Sequence, residues 1–105
     1  MITHIVFYRL NPDVDDQRLE GMVRTTRSLL LKIPEILSVH SGRNVNPESD
    51  WQFFYSIEVG SLSKLAMTMD DPTFLKFLAT VVQPNTKDES VFDFETDPSK
   101  DLRYS

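Results

Sequence analysis

Residues 2–10 constrain this chain most, because every second side chain is apolar and both resulting faces need cover. Ile2, His4, Val6, Tyr8 and Leu10 fall on one face, and Ile5 and Phe7 on the other. A strand that is apolar on both faces belongs inside a layered structure, with something packed on each side. Asn11-Pro12-Asp13 breaks the strand. The period then changes. Leu19, Met22, Val23, Thr26, Leu29, Leu30 and Ile33 follow i, i+3, i+4 spacing, the apolar stripe of a helix. Asp13, Asp15 and Asp16 crowd its start and Arg24, Arg27 and Lys32 its second half, as the helix dipole favours. Asp13 is the candidate N-cap, and Pro34 the stop.

Beyond Pro34 the two-residue period returns. Ile36–Val45 reads as a second strand, with Gly42 a candidate bulge, and Trp51–Val59 as a third. Its odd positions, Trp51, Phe53, Tyr55, Ile57 and Val59, are apolar or aromatic. Ser61 caps a short helix carrying Leu62, Leu65, Ala66 and Met69. Asp70 or Asp71 before Pro72 restarts a helix through Phe74, Leu75, Leu78, Val81 and Val82. Val91–Glu95 reads as a fourth short strand. The order β-α-β-β-α-β predicts an α+β, ferredoxin-like sandwich: four antiparallel strands with both helical segments on one face. The other face, with Ile5, Phe7 and Phe54, needs a partner, and a homodimer packed sheet to sheet is the simple solution. Residues 1–96 read as one domain and 97–105 as a polar tail, with Leu102 and Tyr104 able to anchor it.

Composition removes several function classes. No cysteine is present, which excludes disulfides, a thiolate nucleophile and Cys-based metal sites. Two histidines leave little for a His-only metal site, and no cofactor is expected. The net charge of −5 argues against nucleic acid or an anionic membrane as partner. The apolar opening is too short for a signal segment, so a cytoplasmic location is expected.

The chain resembles the stress-responsive dimeric α/β-barrel (Dabb) family. The resemblance rests on Ile2-Thr3-His4-Ile5-Val6-Phe7, on Lys32-Ile33-Pro34 leading to Gly42-Arg43-Asn44-Val45, on the aromatic third strand, on Pro72, and on Val91-Phe92-Asp93-Phe94. It implies a ferredoxin-like fold whose dimers form a barrel from two sheets. Most members have no known reaction, and a few cyclise a polyketide between sheet and helices. That chemistry uses histidines facing one cavity. Of the family's histidine positions only His4 is kept; the third-strand position is Phe53, the closing position of the turn is Phe74, and an assisting tyrosine falls at Thr68. Some relatives hold magnesium through backbone carbonyls, which here would be those of Leu30, Ile33 and Ile36.

His4 is therefore the candidate catalytic residue, weighed against a structural histidine. His4, Tyr8, Phe53, Tyr55 and Phe74 are the candidate ligand-binding residues. His40 reads as a surface histidine, Arg43 as a solvated or salt-bridged arginine, and Asp88, Glu89, Asp93 and Glu95 as a solvent-facing edge. The residues favour non-catalytic binding of a small apolar ligand in the sheet–helix cleft, with His4 structural or touching ligand; the alternatives are a cofactor-free enzyme, polyketide-cyclase-like or monooxygenase-like, using His4 with Tyr8 or Tyr55, and an interaction dimer with a filled cleft.

Overall fold

The computed structural model describes residues 1–97. The tail anchors expected at Leu102 and Tyr104 lie outside the described residues. Strand β1 (Ile2–Leu10) leads to helix α1 (Asp16–Leu30), strands β2 (Ile36–Arg43) and β3 (Phe53–Val59), helices α2 (Leu62–Asp70) and α3 (Pro72–Phe77), a π-helical turn (Leu78–Val82), and strand β4 (Thr86–Glu95). The strands form one sheet in the order β2-β3-β1-β4, and every neighbouring pair is antiparallel. This is the ferredoxin-like α+β arrangement.

Burial alternates residue by residue along β1 and β3. The inner face carries Val6, Tyr8, Phe53, Tyr55, Ile57 and Val59, all buried, and meets Leu19, Met22, Thr26 and Leu30 of α1 and Phe74 and Phe77 of α3. The outer face carries Ile5, Phe7 and Phe54, which are half-buried, and Phe92 and Phe94, which are half-exposed. Among the described residues, no helix is long and apolar enough to cross a membrane.

Several local expectations shift. The N-cap of α1 is Asp15, not Asp13: its carboxylate accepts from Arg18 N at 2.8 Å, whereas Asn11 and Val14 close a turn that keeps Asp13 outside the helix. The helix ends at Leu30, and its last carbonyls are met by the N–H groups of Leu31, Lys32 and Ile33, so the chain turns before Pro34. Gly42 is not the bulge. The register slips between Ile36 and Ser38 instead, and Leu37 points outward. What Gly42 supplies is room, since a Cβ there would lie 2.9 Å from the Phe54 ring. Strand β4 begins at Thr86, five residues before its first apolar residue, because Thr86–Ser90 pair with β1 despite being polar. Ser61 caps α2 as its position suggests, Asp71 rather than Asp70 caps α3, and Pro72 opens α3.

Candidate functional site

The inner face of β1 brings His4 between Ile57 of β3 and Asp93 of β4. The imidazole is buried, with 6% of the residue exposed. Its Nδ1 lies 2.5 Å from the Asp93 carboxylate and its Nε2 3.2 Å from the Tyr55 hydroxyl. A carboxylate accepts only, so Nδ1 carries the proton and donates to Asp93. In the neutral ring Nε2 then accepts from the Tyr55 O–H. The carboxylate thus fixes both the tautomer and the tilt of the ring, the role an orienting acid plays for a histidine base.

Around this chain the aromatic side chains close up. Tyr8 stacks on Phe53 with centroids 5.7 Å apart and on Tyr55 at 6.2 Å. Tyr55 meets the edges of Phe77 at 5.2 Å and Phe74 at 6.5 Å. His4, Tyr8, Phe53, Tyr55 and Phe74 therefore share one cluster, and each is buried. Burial pushes the Tyr55 phenol well above its ordinary range, and the Tyr8 phenol beside it adds to the rise. Burial likewise raises Tyr8, helped by the negative charge of Glu89, its cross-strand neighbour. Both tyrosines stay neutral and keep their protons for hydrogen bonding.

Asp93 is the residue that sequence reasoning placed elsewhere. It reads there as part of a solvent-facing edge, and its side chain is indeed 44% exposed, yet one oxygen reaches the buried imidazole. The signal was the alternation Glu89, Val91, Asp93 taken with a sheet order that sets β4 beside β1.

The remaining candidates lie apart. His40 is exposed, across from Ser56 on the edge strand. Arg43 pairs with Asp16 at 3.1 Å. Thr68 is buried and donates to the Lys64 carbonyl within its own helix. The Leu30 and Ile33 carbonyls each accept a backbone N–H at 3.2 Å, from Ile33 and Ile36. Among the described residues no group of three or more His, Asp or Glu side chains could hold a metal ion. A cavity of about 690 Å³ lies between α1 and the Pro84–Asn85 turn, away from the His4 cluster.

On the outer face Phe54, Phe7, Phe92 and Phe94 form a continuous aromatic row, with successive centroids 6.2, 6.1 and 6.3 Å apart. A hollow of about 390 Å³ beside Phe7, Trp51 and Phe92 interrupts its surface.

A family model described as the stress responsive A/B barrel domain, Dabb, matches residues 2–96. The chain belongs to the Dabb family. Among curated proteins, none matches this Dabb chain. Solved structures do. A dimeric ferredoxin-like protein of unknown function from Thermobifida fusca superposes with a TM-score of 0.80 at 21% identity, covering 90% of each chain. A Dabb family protein with a ferredoxin-like fold from Mesorhizobium loti gives 0.78 at 18% identity, over 92% of this chain and 97% of its own. The hydroxynitrile lyase of Passiflora edulis gives 0.75 at 20% identity, over 92% and 96%. At these identities the likeness is one of fold, and the fold carries both proteins of unknown function and an enzyme.

Proposed function

We propose that this Dabb protein works as a homodimer and performs general acid–base chemistry on a small, largely apolar molecule at the His4 cluster. The observation that carries the reading is the Asp93–His4–Tyr55 chain. A lone histidine is a weak candidate base; one whose Nδ1–H is held by a carboxylate, with Nε2 against a neutral phenol, is oriented to take or return a proton through that phenol. The family's other histidine positions hold Phe53 and Phe74, so His4 acts without a second imidazole, and the rings around it favour an apolar substrate. The dimer rests on the aromatic row: leaving Phe7, Phe54, Phe92 and Phe94 wet would forfeit about 25 cal/mol for each Å² of apolar area. The Thermobifida fusca neighbour is itself described as dimeric.

The tight packing of Phe53, Tyr55 and Phe74 favours a second reading, in which the protein binds an apolar ligand without turning it over. The test uses a hydroxynitrile, the compound class in the Passiflora enzyme's name, here with an aromatic group chosen to suit the ring-lined cluster, and release of the aldehyde is the readout. The catalytic reading expects turnover that falls about a hundredfold or more in a folded His4→Asn variant. Aldehyde binding at Tyr55 seen by NMR, with no turnover, selects the binding-only reading. Neither binding nor turnover leaves the filled, interaction-only dimer.

A further inference from the structure

The Asp93–His4–Tyr55 chain does not stop at Tyr55. Tyr55 and Tyr8 are stacked with ring centroids 6.2 Å apart, and their phenols share a hydrogen bond. The direction of that bond follows from the other partners. A phenol has one proton to donate. Tyr55 gives its own to His4 Nε2, so its oxygen accepts from Tyr8. Every donor in the chain therefore points the same way: Tyr8 to Tyr55, Tyr55 to Nε2, and Nδ1 to Asp93.

Beyond Tyr8 stands Glu89. The two residues are directly opposite on β1 and β4, so their side chains leave the same face of the sheet. After burial, the negative charge of Glu89 is the next influence that keeps the Tyr8 proton in place. Strand β4 is exposed along this face. Glu89, Val91 and Asp93 all reach solvent, whereas Tyr8, His4 and Tyr55 are buried. Two wet carboxylates on one strand thus bracket three buried proton carriers.

We infer that these five residues form a proton relay, with Glu89 and Asp93 as its solvent ends. In one passage Glu89, protonated from water, gives that proton to the Tyr8 oxygen. Tyr8 gives its own to Tyr55, Tyr55 gives to Nε2, and Nδ1 gives to Asp93. Each buried group gains one proton and loses one, so no charge is left in the apolar cluster, where it would be costly. The imidazole changes tautomer, one proton has moved from Glu89 to Asp93, and the reverse passage resets the chain. The relay deepens the acid–base reading and rests on it for its use in turnover: it restores the protonation state of His4 without admitting water.

A relay makes a demand that separate contacts do not. The neutral imidazole releases its Nδ1 proton only if Nε2 gains one. Tyr55 supplies that proton only if Tyr8 resupplies Tyr55, and Tyr8 draws on Glu89. A change at Glu89 must therefore be felt at His4, which pairs with Asp93 and not with Glu89.

The test needs no substrate, so its failure is separable from failure of the acid–base reading. Magnetisation transfer from water, followed by NMR on the intact protein at neutral pH, measures exchange of the His4 Nδ1–H and Tyr55 O–H protons. Glu89→Gln, at an exposed position, should slow both about a hundredfold, as loss of a positioned acid–base group does. Tyr8→Phe keeps the stacked ring and should slow His4 Nδ1–H equally. Asp88→Asn, opposite Arg9 on the other face of the same strand, should leave both unchanged. His4 exchange unaltered by Glu89→Gln, or slowed as much by Asp88→Asn, would overturn the relay. The expected exchange pattern without turnover of the hydroxynitrile would instead remove the acid–base reading and leave the relay standing.

Discussion

His4 and Asp93, 89 positions apart in the chain, meet across the β1–β4 ladder with Nδ1 2.5 Å from the carboxylate. Neither residue explains the other locally. The contact exists because the crossover topology lays the last strand against the first, with the right register. Its consequence is chemical: one proton location on the imidazole is fixed, and Nε2 is left to face Tyr55.

Asp93→Asn tests that consequence. The amide keeps the shape but loses the charge and can present either end to Nδ1. Imidazole nitrogen NMR should change from a single Nδ1–H tautomer to a mixture. Stability should fall by about 1 kcal/mol, below the usual range for charged hydrogen bonds because Asp93 is half exposed. A tautomer unchanged by the substitution would remove Asp93 from the site.

How much of this was legible follows from where the apolar residues sit. β1 and β3 announce themselves by strict alternation, and α1 by its stripe. Ser61 is legible as a cap because it stands immediately before an apolar-periodic run; Asp70 and Asp71 share that reading, and only the bond from Thr73 N to the Asp71 carboxylate at 2.7 Å selects between them. The strand half Thr86–Ser90 is not legible: its polar side chains carry no period, and its pairing with β1 supplies the order. Losing that half-strand hid the register, and with it the place of Asp93. The cap of α1 was misplaced for a different reason. Three aspartates within four residues are equivalent as composition, and only the turn closed by Val14 N and the Asn11 carbonyl selects among them.

That selection gives a simple contrast. Asp15→Ala removes the acceptor of Arg18 N and should cost about 1 kcal/mol in urea unfolding. Asp13→Ala touches no cap and should leave the midpoint within about 0.5 kcal/mol, as surface changes do. Equal losses for both would place the cap elsewhere.

Two variants probe the outer face from different directions. Phe7→Asp puts an unpaired charge at the centre of the aromatic row and should release single chains or unfold the protein. Gly42→Ala is milder. Its new Cβ would lie 2.9 Å from the Phe54 ring, which must swing away. The core is untouched, so the melting temperature of dilute protein should hardly move while the dimer dissociation constant rises several-fold. Light scattering across a dilution series reads both. A soluble, fully dimeric Phe7→Asp protein would show that the dimer uses another surface.

The last prediction concerns alkaline pH. Tyr8 and Tyr55 are raised above the ordinary value of 10.0, in both cases chiefly by burial; the negative charge of Glu89 next raises Tyr8, and Tyr8 in turn raises Tyr55. Below about pH 10 both phenols are protonated in the folded and unfolded chains alike, and their contribution is constant and fully present. Above it the unfolded chain releases these protons while the folded chain keeps them, so the unfolded state binds fewer and stability falls as pH rises. The limiting slope is about 1.4 kcal/mol per pH unit for each tyrosine. Urea midpoints should therefore be level in this respect up to about pH 10 and drop steeply beyond it, and Tyr8→Phe or Tyr55→Phe should remove about half of that slope. Phenolate absorbance gives an independent check: of the three tyrosines in the chain, at most one should ionise before the protein unfolds. Two or more titrating near pH 10 in the folded dimer would mean that the His4 cluster is open to water.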